Sequence, residues 1–183
     1  MNTLLSLTTW LNLPLILRVR RNHALEHATI SVLGERYPDM RVMGRTSPWG
    51  FYIYGEVPTA GLIAAAQEGL RRLRAGQRQM AVHPNCGTNF AIAGILAGVG
   101  AFLTLEGLSI RRRRTLWERF ASLPLVCTVA AMGIMLAQPL GAAFQARVTT
   151  EADVGAMGFS GVYWEYKGAC AVDPVSTAEY IRQ

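Results

Sequence analysis

Thr88-Asn-Phe-Ala-Ile-Ala-Gly-Ile-Leu-Ala-Gly-Val-Gly-Ala-Phe-Leu-Thr-Leu105 contains no charged side chain. Read outward, residues 79–105 hold no Asp, Glu, Lys or Arg, and residues 120–146 repeat the gap, each over 27 positions. About 20 apolar residues cross a hydrocarbon core. The whole chain is 51% hydrophobic and 16% charged, against roughly a quarter charged in soluble domains. A soluble chain of 183 residues rarely needs two such stretches. The expectation is a two-helix transmembrane hairpin over 87–146, with spans at 88–105 and 121–144 and an arginine-rich loop at 109–119.

Glycine gives the spans a packing face. Gly94 and Gly98 form a small-xxx-small pair that admits a close helix neighbour, and Gly133 and Gly141 are candidate partners. Glycine is also commoner in membrane helices generally, so simple filling of the spans is an equal reading.

Upstream, 18–86 reads as a water-exposed α+β module. A helix is expected from Arg18 to Gly34, with Leu25, Ile30 and Leu33 on one face. Two β-prone runs flank Ser47-Pro-Trp-Gly50, which reads as a hairpin. Thr59 can cap a second helix with the stripe Leu62, Ala66, Leu70 and Leu73, ending at Gly76. Residues 79–83 are a short strand candidate before Pro84. The fold class is therefore α+β, an α-β-β-α-β module followed by the hairpin. The tail, 147–183, is polar and aromatic, folds back toward the module and carries one candidate strand at 158–166. Residues 4–17 are apolar but short for a span, with Asn12 and Pro14 inside and the positive charges after rather than before them. Residues 1–17 are read as an interfacial or partly embedded helix.

The net charge is +6 and 17 of the 18 basic residues are Arg. No basic run is interleaved with exposed aromatics, so nucleic acid is not expected as a partner; anionic headgroups near the arginine loop are. Trp10, Trp49, Trp117 and Trp164 fit interfacial anchors. Orientation is contested: the loop, with five arginines, favours a cytoplasmic loop, while ten arginines in the module favour a cytoplasmic module. Proximity to both spans gives the loop more weight per charge. Among the cysteines, Cys127 is expected as a small buried hydrophobe, and Cys86 and Cys170 could pair only on an oxidising side.

All three histidines fall in two short motifs, Asn22-His23-Ala-Leu-Glu26-His27 and His83-Pro-Asn-Cys86. On a helix, His23 and His27 share a face at i and i+4, with Glu26 nearly on it. This order, H-x-x-E-H, is that of inverted zinc peptidases, in which two His bind zinc and the Glu takes a proton from the activated water. A catalytic zinc needs a third protein ligand, for which His83 or Cys86 is the better candidate, with Glu151, Asp153 and Glu165 in reserve. The peptidase class normally uses a downstream Glu, so the departure weakens peptidase chemistry more than metal binding. The sites read from sequence are thus Glu26 as base, His23, His27, His83 and Cys86 as ligands, and zinc as the ion. The competing reading is a helical His pair with no ion.

His23-Ala-Leu-Glu-His-Ala28, Gly50-Phe-Tyr-Ile-Tyr-Gly55 and Ala81-Val-His-Pro-Asn-Cys-Gly-Thr-Asn89 together resemble an uncharacterised family of bacterial, largely cyanobacterial-type, membrane proteins. The resemblance spans about 18–144. It implies a bacterial cytoplasmic or thylakoid-type membrane location, and His23, Glu26, His27, His83, Cys86 and Asn89 match its motif positions. Two functions follow as expectations: a membrane-anchored zinc hydrolase, peptidase-like, or a non-catalytic assembly or scaffold subunit with a membrane-protein partner or a second copy of itself.

Overall fold

The computed structural model describes residues 9–109, 116–166 and 169–173. The chain divides into two compact units, Met1–His83 with Gln145–Gln183, and Pro84–Phe144.

In the first unit, α1 (Pro14–Arg36) begins on a proline, whose fixed φ and missing N–H suit the first helical turn. It therefore starts earlier than expected. Gly34 does not stop it; the helix closes two residues later, where the Tyr37 N–H reaches the Leu33 carbonyl at 2.7 Å and Pro38 disfavours continuation. The hairpin β1 (Met43–Ser47) and β2 (Gly50–Tyr54) is antiparallel, with Ser47 opposite Gly50 across the Pro48-Trp49 turn. On β2, Phe51 and Ile53 alternate into the core while Tyr52 and Tyr54 stay half-buried. In α2 (Thr59–Arg74), all four expected stripe residues are buried. Pro58 occupies its cap position and no side chain caps it, so Thr59 does not take the expected role. A Cβ at Gly69 would meet the Ala28 backbone at 3.1 Å, so glycine there sets how closely α1 and α2 approach.

Residues 79–83 do not form the expected strand. Arg78–Ala81 is a 3-10 turn, and consecutive Met80 and Ala81 are both buried. A strand would send neighbours to opposite faces; one tight turn sends both into the core. The tail completes the sheet. β4 (Ala169–Asp173) pairs with β2, and β3 (Gly161–Tyr166) pairs with β4, giving the order β1-β2-β4-β3. The strand expected at 158–166 thus appears as β3, and Val154 and Met157 join the core with Leu25, Val32, Phe51 and Leu62.

In the second unit, α3 (Gly87–Ser109) and α4 (Leu116–Phe144) pack on each other. Both are long and apolar enough to cross a membrane. The 23 residues of α3 extend about 34 Å, against about 30 Å of hydrocarbon. The seam uses Gly100 against Val129, Gly133 against the Leu96–Ala97 backbone and Gly141 against Asn89. Gly94 and Gly98 have nothing within 4 Å of a would-be Cβ, so they do not form the seam. Cys127 is exposed rather than buried, because the two-helix seam covers only one stripe of α4. Arg111–Arg114 lie outside the described residues, as do residues 1–8 and the side chain of Cys170.

Candidate metal centre

The i, i+4 spacing on α1 brings His23 and His27 together, with ring centroids 4.3 Å apart. His27 is buried, and its Nδ1 lies 2.8 Å from the Ala81 carbonyl oxygen. His23 Nδ1 lies 3.0 Å from the Thr149 carbonyl oxygen. A carbonyl only accepts, so each neutral ring carries its proton on Nδ1 and its lone pair on Nε2. This is how metal-binding histidines are usually held: one nitrogen donates to a fixed acceptor and the other turns toward the ion.

The two acceptors lie far apart in sequence. Ala81 ends the 3-10 turn, and Thr149 ends a π-helical turn over Gln145–Thr149. Such wide turns are rare and frequent at functional sites. Here it is closed by the Thr150 N–H on the Gln145 carbonyl at 2.9 Å. Arg20 secures the same turn. Its buried guanidinium donates to the carbonyls of Val148 at 2.9 Å, Thr150 at 2.9 Å and Arg147 at 3.2 Å, and pairs with Glu151 at 3.3 Å.

His83 stands beside this pair, its ring centroid 5.9 Å from that of His27. Gln145, fully buried, brackets the His83 backbone: its Oε1 accepts the His83 N–H at 3.0 Å and its Nε2 donates to the His83 carbonyl at 3.1 Å. Burial, reinforced by His27, holds the His83 pKa below the ordinary histidine value. The neutral, lone-pair-bearing form is thereby favoured. Within the first unit, three neutral imidazoles are thus gathered near one another, the donor type that suits zinc. Cys86 lies in the other compact unit, and its thiol is buried.

Glu26 takes a different direction from the imidazoles. Its buried carboxylate accepts a hydrogen bond from the Thr46 hydroxyl on β1. It fits against Gly44, where a Cβ would overlap the carboxylate. Burial raises its pKa, more than the Thr46 bond and the nearby His23 lower it. Of the reserve ligands, Glu151 pairs with Arg20 and accepts the Asp153 N–H, while Asp153 accepts the Gly155 N–H at 3.0 Å. Both are committed to their own loop. The Glu165 side chain lies outside the described residues.

Several residues central to this arrangement had no sequence signal. Thr46, Gly44 and Thr149 look like ordinary strand and loop residues, and Gln145 reads as the polar edge of an apolar stretch. Arg20 reads as one surface charge among many. The nearest thing to a hint was Asn22 beside His23; it is buried, and its Nδ2 ties α1 to the hairpin turn through the Ser47 carbonyl at 3.0 Å.

Together these features define a small mixed module with a histidine cluster, carried on the same chain as a pair of long apolar helices. The chain belongs to the family described as Domain of unknown function (DUF6391), which matches residues 18–162. That range contains His23, His27, His83 and Cys86 and both apolar helices. An uncharacterized protein of the cyanobacterium Picosynechococcus sp. is 32% identical over 149 residues, covering 74% of this chain and 67% of the relative. No solved structure matches.

Proposed function

We propose that this is an integral membrane metalloprotein of a bacterial cytoplasmic or thylakoid-type membrane, and that its ion is zinc. Its ligands are His23, His27 and Cys86, with His83 as the adjacent further donor. The observation that carries the reading is the pair of Nδ1–carbonyl bonds, which presents two Nε2 lone pairs from one helix face. Two imidazoles and a thiolate suit zinc, and three protein ligands leave the fourth position that catalytic sites keep open. Zinc supplies a Lewis acid there when bound. The chain's own contribution is Glu26, whose carboxyl pKa is raised by burial and which acts as general base once it turns from Thr46 toward the ion. The activity is therefore read as hydrolytic and peptidase-like. The bilayer is the partner of the two apolar helices, and anionic headgroups are the partners of the arginines at 109–119.

A second reading, an assembly subunit, is favoured by Gly94 and Gly98, which leave room on α3 for another helix from a partner or a second copy.

Cobalt(II) loading of the detergent-purified protein tests the ligand set. Thiolate-to-cobalt absorption is expected in wild type, absent in Cys86→Ser and retained in Glu26→Gln. Retained cobalt with lost hydrolysis of a peptide library in Glu26→Gln supports the base assignment. Absence of the thiolate band in wild type contradicts the ligand set.

A further inference from the structure

We infer that the cavity between the C-terminal turn of α2 and the loop 152–155 is a binding site for a phosphate group. It has a volume of about 230 Å³ and is lined by Arg74, Gly76, Arg78, Asp153 and Gly155 among others. That is below the roughly 300 Å³ at which drug-sized pockets begin, and it suits one compact oxyanion.

Charge pairing separates this cavity from the rest of α2. Arg71 and Arg72 are neutralised on the spot, by Glu68 at 2.7 Å and, for Arg72, also by Glu35 at 2.7 Å. Arg74 and Arg78 have no ion pair among the described residues. Arg74 is steadied by a single bond from its Nη2 to the Met157 carbonyl, leaving its other donors to spare. A third guanidinium, Arg21 of α1, is tied to the loop that forms one wall of the cavity. Arg21 donates Nε to the Asp153 carbonyl at 2.9 Å, and its guanidinium lies 3.2 Å from where a Cβ on Gly155 would sit. Gly155 has a φ of +53°, a conformation that glycine adopts cheaply. Its missing side chain leaves Arg21 room against the loop.

The lining has one carboxylate, Asp153, and it is already engaged by the Gly155 N–H. Two guanidiniums in the lining, with Arg21 bonded to the Asp153 backbone, outnumber that carboxylate. Planar forks of N–H donors match phosphate oxygens. The simpler account is that basic side chains merely complement the helix C-terminus. That account covers Arg74, but not Arg21, which comes from another helix.

The same chemistry is offered by a free phosphate and by a phospholipid headgroup. Calorimetric titration of the full-length protein in neutral detergent distinguishes them, with inorganic phosphate, dihexanoyl-phosphatidylglycerol and, as zwitterionic control, dihexanoyl-phosphatidylcholine. Saturable heat with phosphate assigns the site to a free phosphate compound. Heat with the phosphatidylglycerol alone assigns it to a lipid headgroup. In either case Arg78→Gln weakens binding about tenfold, the effect of one charge-assisted hydrogen bond, while Arg71→Gln, which removes an equal charge elsewhere on α2, leaves it unchanged. No saturable binding of phosphate or phosphatidylglycerol overturns the inference. So does equal binding of both lipids without phosphate binding, and so does an equal loss in Arg71→Gln and Arg78→Gln.

Discussion

Helices α1 and α3 are each 23 residues long and are built in opposite senses. α1 buries polar side chains: Arg20, Asn22, Glu26, His27 and Thr29 all lie inside; the first four hydrogen-bond to chain beyond α1, and Thr29 donates to the Leu25 carbonyl of α1 itself. α3 turns Phe90, Ile95, Phe102 and Leu103 outward. Burying a polar group is tolerable only when it is paired, and exposing apolar area to water costs about 25 cal/mol per Å². The first helix is therefore organised around a hydrogen-bonded interior. The second has the length and apolar surface that a membrane-crossing helix needs. On our reading, the histidine cluster belongs to the first kind of environment and the hairpin to the membrane.

This contrast can be broken at measurable points. The largest effect is expected at Arg20. Arg20→Met deprives Glu151 and the carbonyls of Arg147, Val148 and Thr150 of their donor and should cost roughly 3–5 kcal/mol, since several charge-assisted bonds to one buried guanidinium are lost together; thermal unfolding in detergent reads it. Gln145→Leu follows. It leaves the His83 N–H and carbonyl without their bracket, at about 2–4 kcal/mol for two groups deprived of partners, and it should weaken metal binding as His83 loosens. In the hairpin the sensitive position is a glycine. Gly133→Ala puts a methyl 2.9 Å from the α3 backbone and should cost about 1–3 kcal/mol of overpacking. Gly94→Ala, which meets nothing, should change stability by less than about 0.5 kcal/mol. If Gly94 proves the more sensitive of the two, the α3–α4 seam is wrongly assigned or a partner helix occupies that face.

Proton linkage sharpens the comparison on the module side, in metal-free protein. The His83 pKa is lowered by burial, so its stabilisation is complete above the ordinary histidine range, about pH 6.5, and is lost as pH falls through the lowered value. His83→Gln should flatten this acid-side loss. The Glu26 pKa is raised by burial, so its stabilisation is present below the ordinary carboxylate range and is lost as pH rises through the raised value. Glu26→Gln should thus raise the melting temperature at neutral pH and leave it nearly unchanged in acid. A lowered melting temperature at both would mean that Thr46 and Gly44 are matched to the ionised carboxylate.

Local patterns were readable wherever one element decided them. The stripe of α2, the Ser47–Gly50 hairpin turn and the two apolar helices each follow from spacing or composition within a single segment. What depended on distant pairing was hidden. β4 joins β2 across more than a hundred residues, so nothing near Phe51 announces Val172. The turn at Arg78–Ala81 looks strand-like in isolation, and only packing of both Met80 and Ala81 into the core overrides that. The site divides in the same way. His23 and His27 were legible from their spacing on one helix, and Glu26 with them, but the partner of Glu26 was not. Nor was the role of Gln145, whose side chain reaches a backbone 62 residues away. The histidines themselves could be read from the sequence; the carbonyls that set their tautomers could not.

Elemental analysis of the detergent-purified protein, prepared without chelators beside a His23→Ala/His27→Ala double variant, tests the metal site directly. About one equivalent of zinc per chain in the wild type and less than about a tenth of that in the variant is the expected result. No bound metal in either protein, or equal metal in both, would contradict the site and leave the assembly-subunit reading in its place.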